Sequence, residues 1–195
     1  MSERPGSYAV LRLPLYRRFL AAAISYSVGM WTFQTVLVWV VLEQTGSAGA
    51  VSILLICLTV SWLLVSLPAG ILADRYDLRR LMLIGQGVAA CAMAAGAIAT
   101  LAGVMSLGVA MVALFVLGIF DGLSAVPAMV FVGRLVEPRL MAGAIGLSSL
   151  QYGFGRILGG LMTGLLVSLI GAGATIAIAA ALLVTSVLIV FTLPS

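Results

Sequence analysis

Beyond Phe19 the sequence leaves almost no room for water. Six apolar runs, at about 19–42, 50–73, 81–101, 107–132, 140–170 and 174–193, follow one another with only short Gly, Ser, Pro or charged connections between them. Each reaches the roughly 20 residues that an α-helix needs to cross a hydrocarbon core. The fifth exceeds it, which calls for tilt or an interfacial first turn. Backbone groups held away from water must pair within their own segment, so long apolar runs without a period of two become spanning helices. The expectation is an all-α integral membrane protein of six transmembrane helices.

Charge is scarce to match. Only 8% of the residues are charged and 63% are hydrophobic, whereas soluble domains carry about 25% charge. The net charge of +4 comes from ten arginines with no lysine or histidine. These arginines fall in the connections and not along a basic face, which argues against a nucleic-acid partner. Cys57 and Cys91 sit inside apolar runs as small hydrophobes, so neither a disulfide nor a metal site is expected, and no cofactor.

Residues 1–18 read as a polar cytoplasmic leader with Arg4, Arg12, Arg17 and Arg18, and with Pro5 and Pro14 interrupting any helix. The run that follows is longer than the roughly 7–15-residue apolar core of a signal peptide, so it is expected to stay as the first span of a bundle covering 19–195. The second connection holds Arg75, Arg79 and Arg80, the fourth holds Arg134 and Arg139, and the first, third and fifth hold none. That asymmetry places both termini in the cytoplasm, in a multi-pass protein of the inner (plasma) membrane.

Two charges lie inside the runs, Asp121 in the fourth and Arg156 in the fifth. An ionisable group at mid-membrane depth costs at least about 2.5–3.5 kcal/mol, so it faces a polar cavity or a partner. One reading is an Asp121–Arg156 pair pinning two helices together; the other is a substrate or proton pathway. Helical spacing sets Ser149, Tyr152, Arg156, Gly159, Gly160 and Thr163 on one face of the fifth run, and Ser27, Trp31, Gln34 and Thr35 together on the first. The third and sixth runs carry almost only apolar and small residues. They are expected at the periphery, with the first, fourth and fifth inside. Gly155, Gly159, Gly160 and Gly164 form two Gly-x-x-x-Gly spacings, which let helix backbones approach closely.

The turn between the second and third runs reads Gly70-Ile-Leu-Ala-Asp74-Arg75-Tyr-Asp-Leu-Arg79-Arg80. It resembles the Gly-x-x-x-Asp-Arg-x-x-x-Arg-Arg signature of the major facilitator superfamily in residue types, spacing and position. The leader Leu11-Arg-Leu-Pro-Leu-Tyr-Arg17-Arg18-Phe, and the stretches Pro127-Ala128, Leu135-Val-Glu-Pro138, Ala142 and Gly153-Phe-Gly-Arg156-Ile-Leu-Gly159, resemble the exporter branch that includes siderophore and macrolide efflux proteins. Two features depart from that pattern. Gly118 stands where many family antiporters carry an arginine, and Gly159-Gly160 stands for the frequent Gly-Pro.

The resemblance implies the amino-terminal half of a twelve-helix transporter, a 3+3 inverted repeat. Transporters of this kind bind substrate between two six-helix halves. A second half would then come from a second copy as a C2 homodimer, from a separately encoded half, or from chain that has been trimmed away. The resemblance also makes Gly70, Asp74, Arg75, Arg79 and Arg80 a conformational latch, in which Asp74 meets the amino end of a helix in the opposite half. The equivalent here is the fifth run of the other copy, near Leu140–Gly143. Asp77 is placed to cap the third helix, while Arg79 and Arg80 in its first turn suggest topology or an anionic lipid.

The function expected is proton-coupled alternating-access export of a small amphiphilic or drug-like solute. Asp121 would be the acid, Arg156 its counter-charge or an anion-binding group, and Gln34, Trp31, Tyr26 and Tyr152 walls of the pathway. An enzymatic reading starts from Asp121-Gly122-x-x-Ala125, superficially similar to the opening of the metal-binding signature of membrane phosphatidyl-transferases. It fails because Val126 follows and no further acid appears before Glu137. A non-transporting membrane scaffold remains the third class.

Overall fold

A computed structural model describes residues 9–194 as an all-helical bundle; Arg4 and Pro5 of the leader lie outside them. Five helices are long and apolar enough to cross a membrane. They are α1 (Pro14–Thr45), α2 (Ala48–Arg75), α3 (Leu78–Leu101), α4 (Leu107–Leu135) and α5 (Met141–Phe191), with short 3-10 turns at Ala9–Arg12 and Pro138–Leu140.

The leader is shorter than expected. Pro14 opens α1 and does not interrupt it, because a proline at the first helical position gives up an N–H that has no intrahelical partner. Arg17 and Arg18 therefore sit in the first turns of α1.

The last two expected runs form one helical stretch of 51 residues that is interrupted at Gly171. Straight, it would reach about 76 Å, more than twice a hydrocarbon core. At Gly171 the backbone leaves helical geometry (φ 82°, ψ 166°). The contacts show the reversal: Gly159 lies against Trp31 and Thr32 of α1, while Ala179 and Leu183 lie against Gly29 of the same helix. On a straight rod Gly159 and Ala179 would be about 30 Å apart. The chain therefore folds back at Gly171, and residues 172–191 run antiparallel to 141–170. Gly46 (φ 60°) and Gly103 (φ 70°) make the two other reversals at this arginine-free end. A positive φ is open to glycine at little cost.

The main packing pairs are α1 with α5, α2 with α4, and α3 with both α4 and α5. α1 and α2 are thus joined to the last two helices more extensively than to their sequence neighbours. One apolar cluster, with Phe33, Leu54, Met93, Leu117 and Leu183, fills the arginine-free half of the bundle. Another, with Tyr16, Phe19, Met82, Phe131 and Val190, fills the arginine-bearing end.

Small residues set the closest approaches. A Cβ on Gly155 would strike Ser27, and one on Gly159 would sit 2.6 Å from the Cβ of Trp31. Thr163 reinforces this seam by donating to the Gly159 carbonyl at 2.8 Å and to the Thr32 carbonyl at 3.3 Å. Gly160 and Gly164, expected to pack similarly, meet nothing within 4 Å; they lie on the opposite side of α5 from α1. A second seam of small residues lies between α4 and its neighbours. Gly118 and Gly122 press α4 against Ser61, Leu58 and Val65 of α2, and Gly85 presses α3 against the Phe120 carbonyl.

The expected peripheral places of the third and sixth runs are corrected: in the sixth, Thr175, Ile176, Ala179, Leu183 and Ser186 are fully buried. Half of the most apolar stretch of α3 is buried, against 17% of that of α2. Within α3, Gln86 is buried and accepts a hydrogen bond from Ser186 of α5 at 3.0 Å. Lipid and protein neighbours are equally apolar, so an apolar run does not reveal which of them it faces.

Candidate functional site

A cavity of about 980 Å³ opens between α1, α2, α4 and the first arm of α5. Its lining is mostly apolar, with few polar groups, as small-molecule sites are. Asp121 of α4 contributes the one charged side chain to the lining. The Tyr26 hydroxyl of α1 donates to Asp121 Oδ1 at 2.6 Å. The carboxylate is thereby held at the cavity with its second oxygen unpartnered among the described residues.

Of the residues expected to line the pathway, Trp31, Gln34, Tyr152 and Asp121 all border this cavity. Helical spacing alone carries Ser27, Trp31 and Gln34 to one face of α1. Tyr152 meets Trp31 edge to face, with ring centroids 5.8 Å apart. This is a favourable arrangement for two quadrupolar rings.

Arg156 is placed differently. It is exposed, and its guanidinium stacks 5.1 Å from the Trp31 ring, a cation–π contact. The one ion pair among the described residues joins Arg139 to Glu137, so Asp121 and Arg156 do not pair. The two intramembrane charges are instead each tied to α1, one through Tyr26 and one through Trp31.

Other polar groups of the cavity were not singled out from the sequence. Gln151 donates to the Ala23 carbonyl at 2.8 Å and to the Ser27 hydroxyl. Trp62, Thr59 and Gln86 complete a polar and aromatic rim. Gln151 falls beside Tyr152 in the sequence, but a single glutamine in an apolar helix does not announce its direction.

Gly118 is buried against α2, so no arginine fits where the family pattern has one. What the cavity offers chemically is one carboxylate among aromatic rings. Such a site can hold a proton or neutralise a cation. No group of three His, Cys, Asp or Glu side chains comes together among the described residues.

The charged turn between α2 and α3 divides into two parts. Asp74, Arg75 and Arg80 are exposed, and a Cβ on Gly70 would meet nothing within 4 Å. Asp77 caps α3, its Oδ1 accepting from the Arg80 N–H at 2.9 Å. Arg79 is turned inward within its own chain. It donates to the Phe191 carbonyl at the end of α5 and lies 5.1 Å from the Phe191 ring. A cation at a helix carboxyl end is favourably placed, so this arginine clasps the start of α3 to the end of α5.

A family model described as transmembrane secretion effector matches residues 5–194. No curated protein matches the chain. Among solved structures, the chain is similar to the in meso crystal structure of the POT family transporter PepTSo, with a TM-score of 0.80 at 15% identity. The match covers 92% of this chain and 37% of that one. The chain therefore spans little more than a third of that transporter's length, and the likeness is one of fold.

Proposed function

The chain belongs to the transmembrane secretion effectors, transporters of the major facilitator type, and from that premise we propose that it acts as one six-crossing half of a secondary transporter. It works as a homodimer in the plasma membrane, exporting a small amphiphilic solute by proton-coupled alternating access. The observation that carries this reading is the 980 Å³ cavity with Asp121 as its one charged lining residue. Trp31, Tyr152 and Gln34 provide the walls, and Arg156 on Trp31 lies on the exposed side of α5.

Several features support a second copy. Leu150, Ile157, Leu161 and Leu165 of α5 are more than 60% exposed, and Gly153, Gly160 and Gly164 are open. Lipid would cover leucines equally well, but a row of bare glycines suits the close approach of another helix. Asp74 has no partner among the described residues, and Leu140, the residue before α5, gives that helix no side-chain cap. Uncapped N–H groups at a helix start attract an anion. Asp74 of one copy and the start of α5 in the other are thus complementary, with Gly70, Arg75 and Arg80 completing the latch.

The test uses the purified chain alone. Native mass spectrometry in mild detergent is expected to give twice 20.2 kDa, and the same preparation should drive pH-dependent solute movement in proteoliposomes. A 20.2 kDa species without transport would turn the reading toward a separately encoded second half or a scaffold. Asp74→Asn is expected to change the transport rate by about 5- to 150-fold, the size of a typical coupling term, while insertion stays intact. An unchanged rate would remove the latch.

A further inference from the structure

The first turn of α3, the last turn of α4 and Pro194 enclose a second, smaller pocket of about 170 Å³ at the arginine-bearing end of the bundle. Arg79 and Arg134 both line it, one from each helix. Neither takes part in an ion pair among the described residues. Arg79 spends one terminal nitrogen on the Phe191 carbonyl, which fixes its guanidinium in place. Its Nε is buried without any hydrogen-bond partner among the described residues. A buried donor left unmade costs about 1–3 kcal/mol, and more when charged.

The acid in the same pocket, Asp77, already serves the Arg80 N–H as helix cap. Arg79 and Arg134 outnumber this acid, so the lining residues of the pocket leave one net positive charge. Phe131 and Leu135 supply an apolar wall beside them. A pocket of this size accepts a phosphate group, whose oxygens match the planar donors of arginine. Basic pockets between transmembrane helices on the cytoplasmic side are suited to lipid headgroups.

We propose that the pocket between Arg79 and Arg134 is a binding site for a phosphate group. The group comes either from the headgroup of an anionic phospholipid, with its glycerol and chains along Phe131 and Leu135, or from a free phosphate ion. The site is separate from the cavity around Asp121 and does not depend on the transport reading.

The test is made on the purified full chain in mixed micelles of detergent with phosphatidylglycerol or phosphatidylcholine, read by native mass spectrometry. A parallel arm measures the melting temperature with and without inorganic phosphate. Wild type is expected to retain phosphatidylglycerol about fivefold over phosphatidylcholine, in line with about 1 kcal/mol for the one net positive charge that two arginines and Asp77 leave near a membrane surface, or to be stabilised by inorganic phosphate. The lipid preference assigns the pocket to a headgroup; stabilisation by the ion without it assigns the pocket to free phosphate.

Arg134 is exposed, so Arg134→Gln should fold. It is expected to lose whichever effect wild type shows, and Arg134→Lys to keep most of it. Arg139→Gln removes the same charge from an exposed ion pair nearby and is expected to leave the effect intact. Equal retention of the two lipids together with no response to phosphate would overturn the proposal. So would an Arg134→Gln variant that behaves as wild type, or an Arg139→Gln variant that loses as much as Arg134→Gln.

Discussion

Asp121→Asn is expected to lower pH-driven transport in proteoliposomes by about 5- to 150-fold, the range of a typical coupling free energy, with folding and insertion unchanged. The asparagine side chain is nearly isosteric with aspartate and keeps an oxygen for the Tyr26 hydroxyl, which reaches Asp121 Oδ1 at 2.6 Å. The tie between α1 and α4 therefore survives. What disappears is the one charge of the cavity lining and its capacity to take up a proton. Solute movement down its own gradient should persist, because shape and aromatic lining are untouched. Full proton coupling in the mutant would refute the role of Asp121. Tyr26→Phe separates the two functions of this pair: it removes the tie and leaves the acid.

Gly118→Arg is expected to abolish the folded protein, seen as loss of the monodisperse peak in size-exclusion chromatography. The prediction runs against the family pattern, in which an arginine is common at this place. Here a Cβ on Gly118 already collides with the Ser61 hydroxyl and comes within 2.8 Å of the Leu58 carbonyl. Overpacking of a closed seam costs about 1–3 kcal/mol, and an unpaired charge driven between two membrane helices adds at least about 2.5 kcal/mol. Gly160→Ala is the matched control, since nothing lies within 4 Å of that position in the single chain. A folded Gly118→Arg protein would mean that α2 and α4 are not held at this distance.

These two sites also show what could be read in advance. A carboxylate in an apolar run is conspicuous whatever its neighbours, and Asp121 lines the cavity. Gly155 and Gly159 were legible as a close seam, and α1 proved to be the helix that fills it. Their sequence neighbours Gly160 and Gly164 have the same spacing but look away from the bundle. Spacing identifies a face and not the partner that covers it.

Gly118 and Gly122 have a Gly-x-x-x-Gly spacing too, yet the charge of Asp121 between them drew attention to the cavity and away from α2. The same limit explains α3. Gln86 is the polar residue of that helix's core contact with Ser186, and one glutamine among leucines, alanines and valines gives no period from which a face can be drawn. Arg79 could not be separated from Arg75 and Arg80 either, because its partner, the Phe191 carbonyl, lies 112 residues further along the chain. Backbone acceptors carry no sequence signature.

The glycine reversals have a mechanical consequence. At the arginine-free end the chain turns through Gly46, Gly103 and Gly171, each with positive φ, and the helices on either side begin within a few residues. Joints this short carry no slack. A helix displaced at the other end, where Asp74 lies, cannot take up the movement by paying out loop, so the whole bundle tips with it.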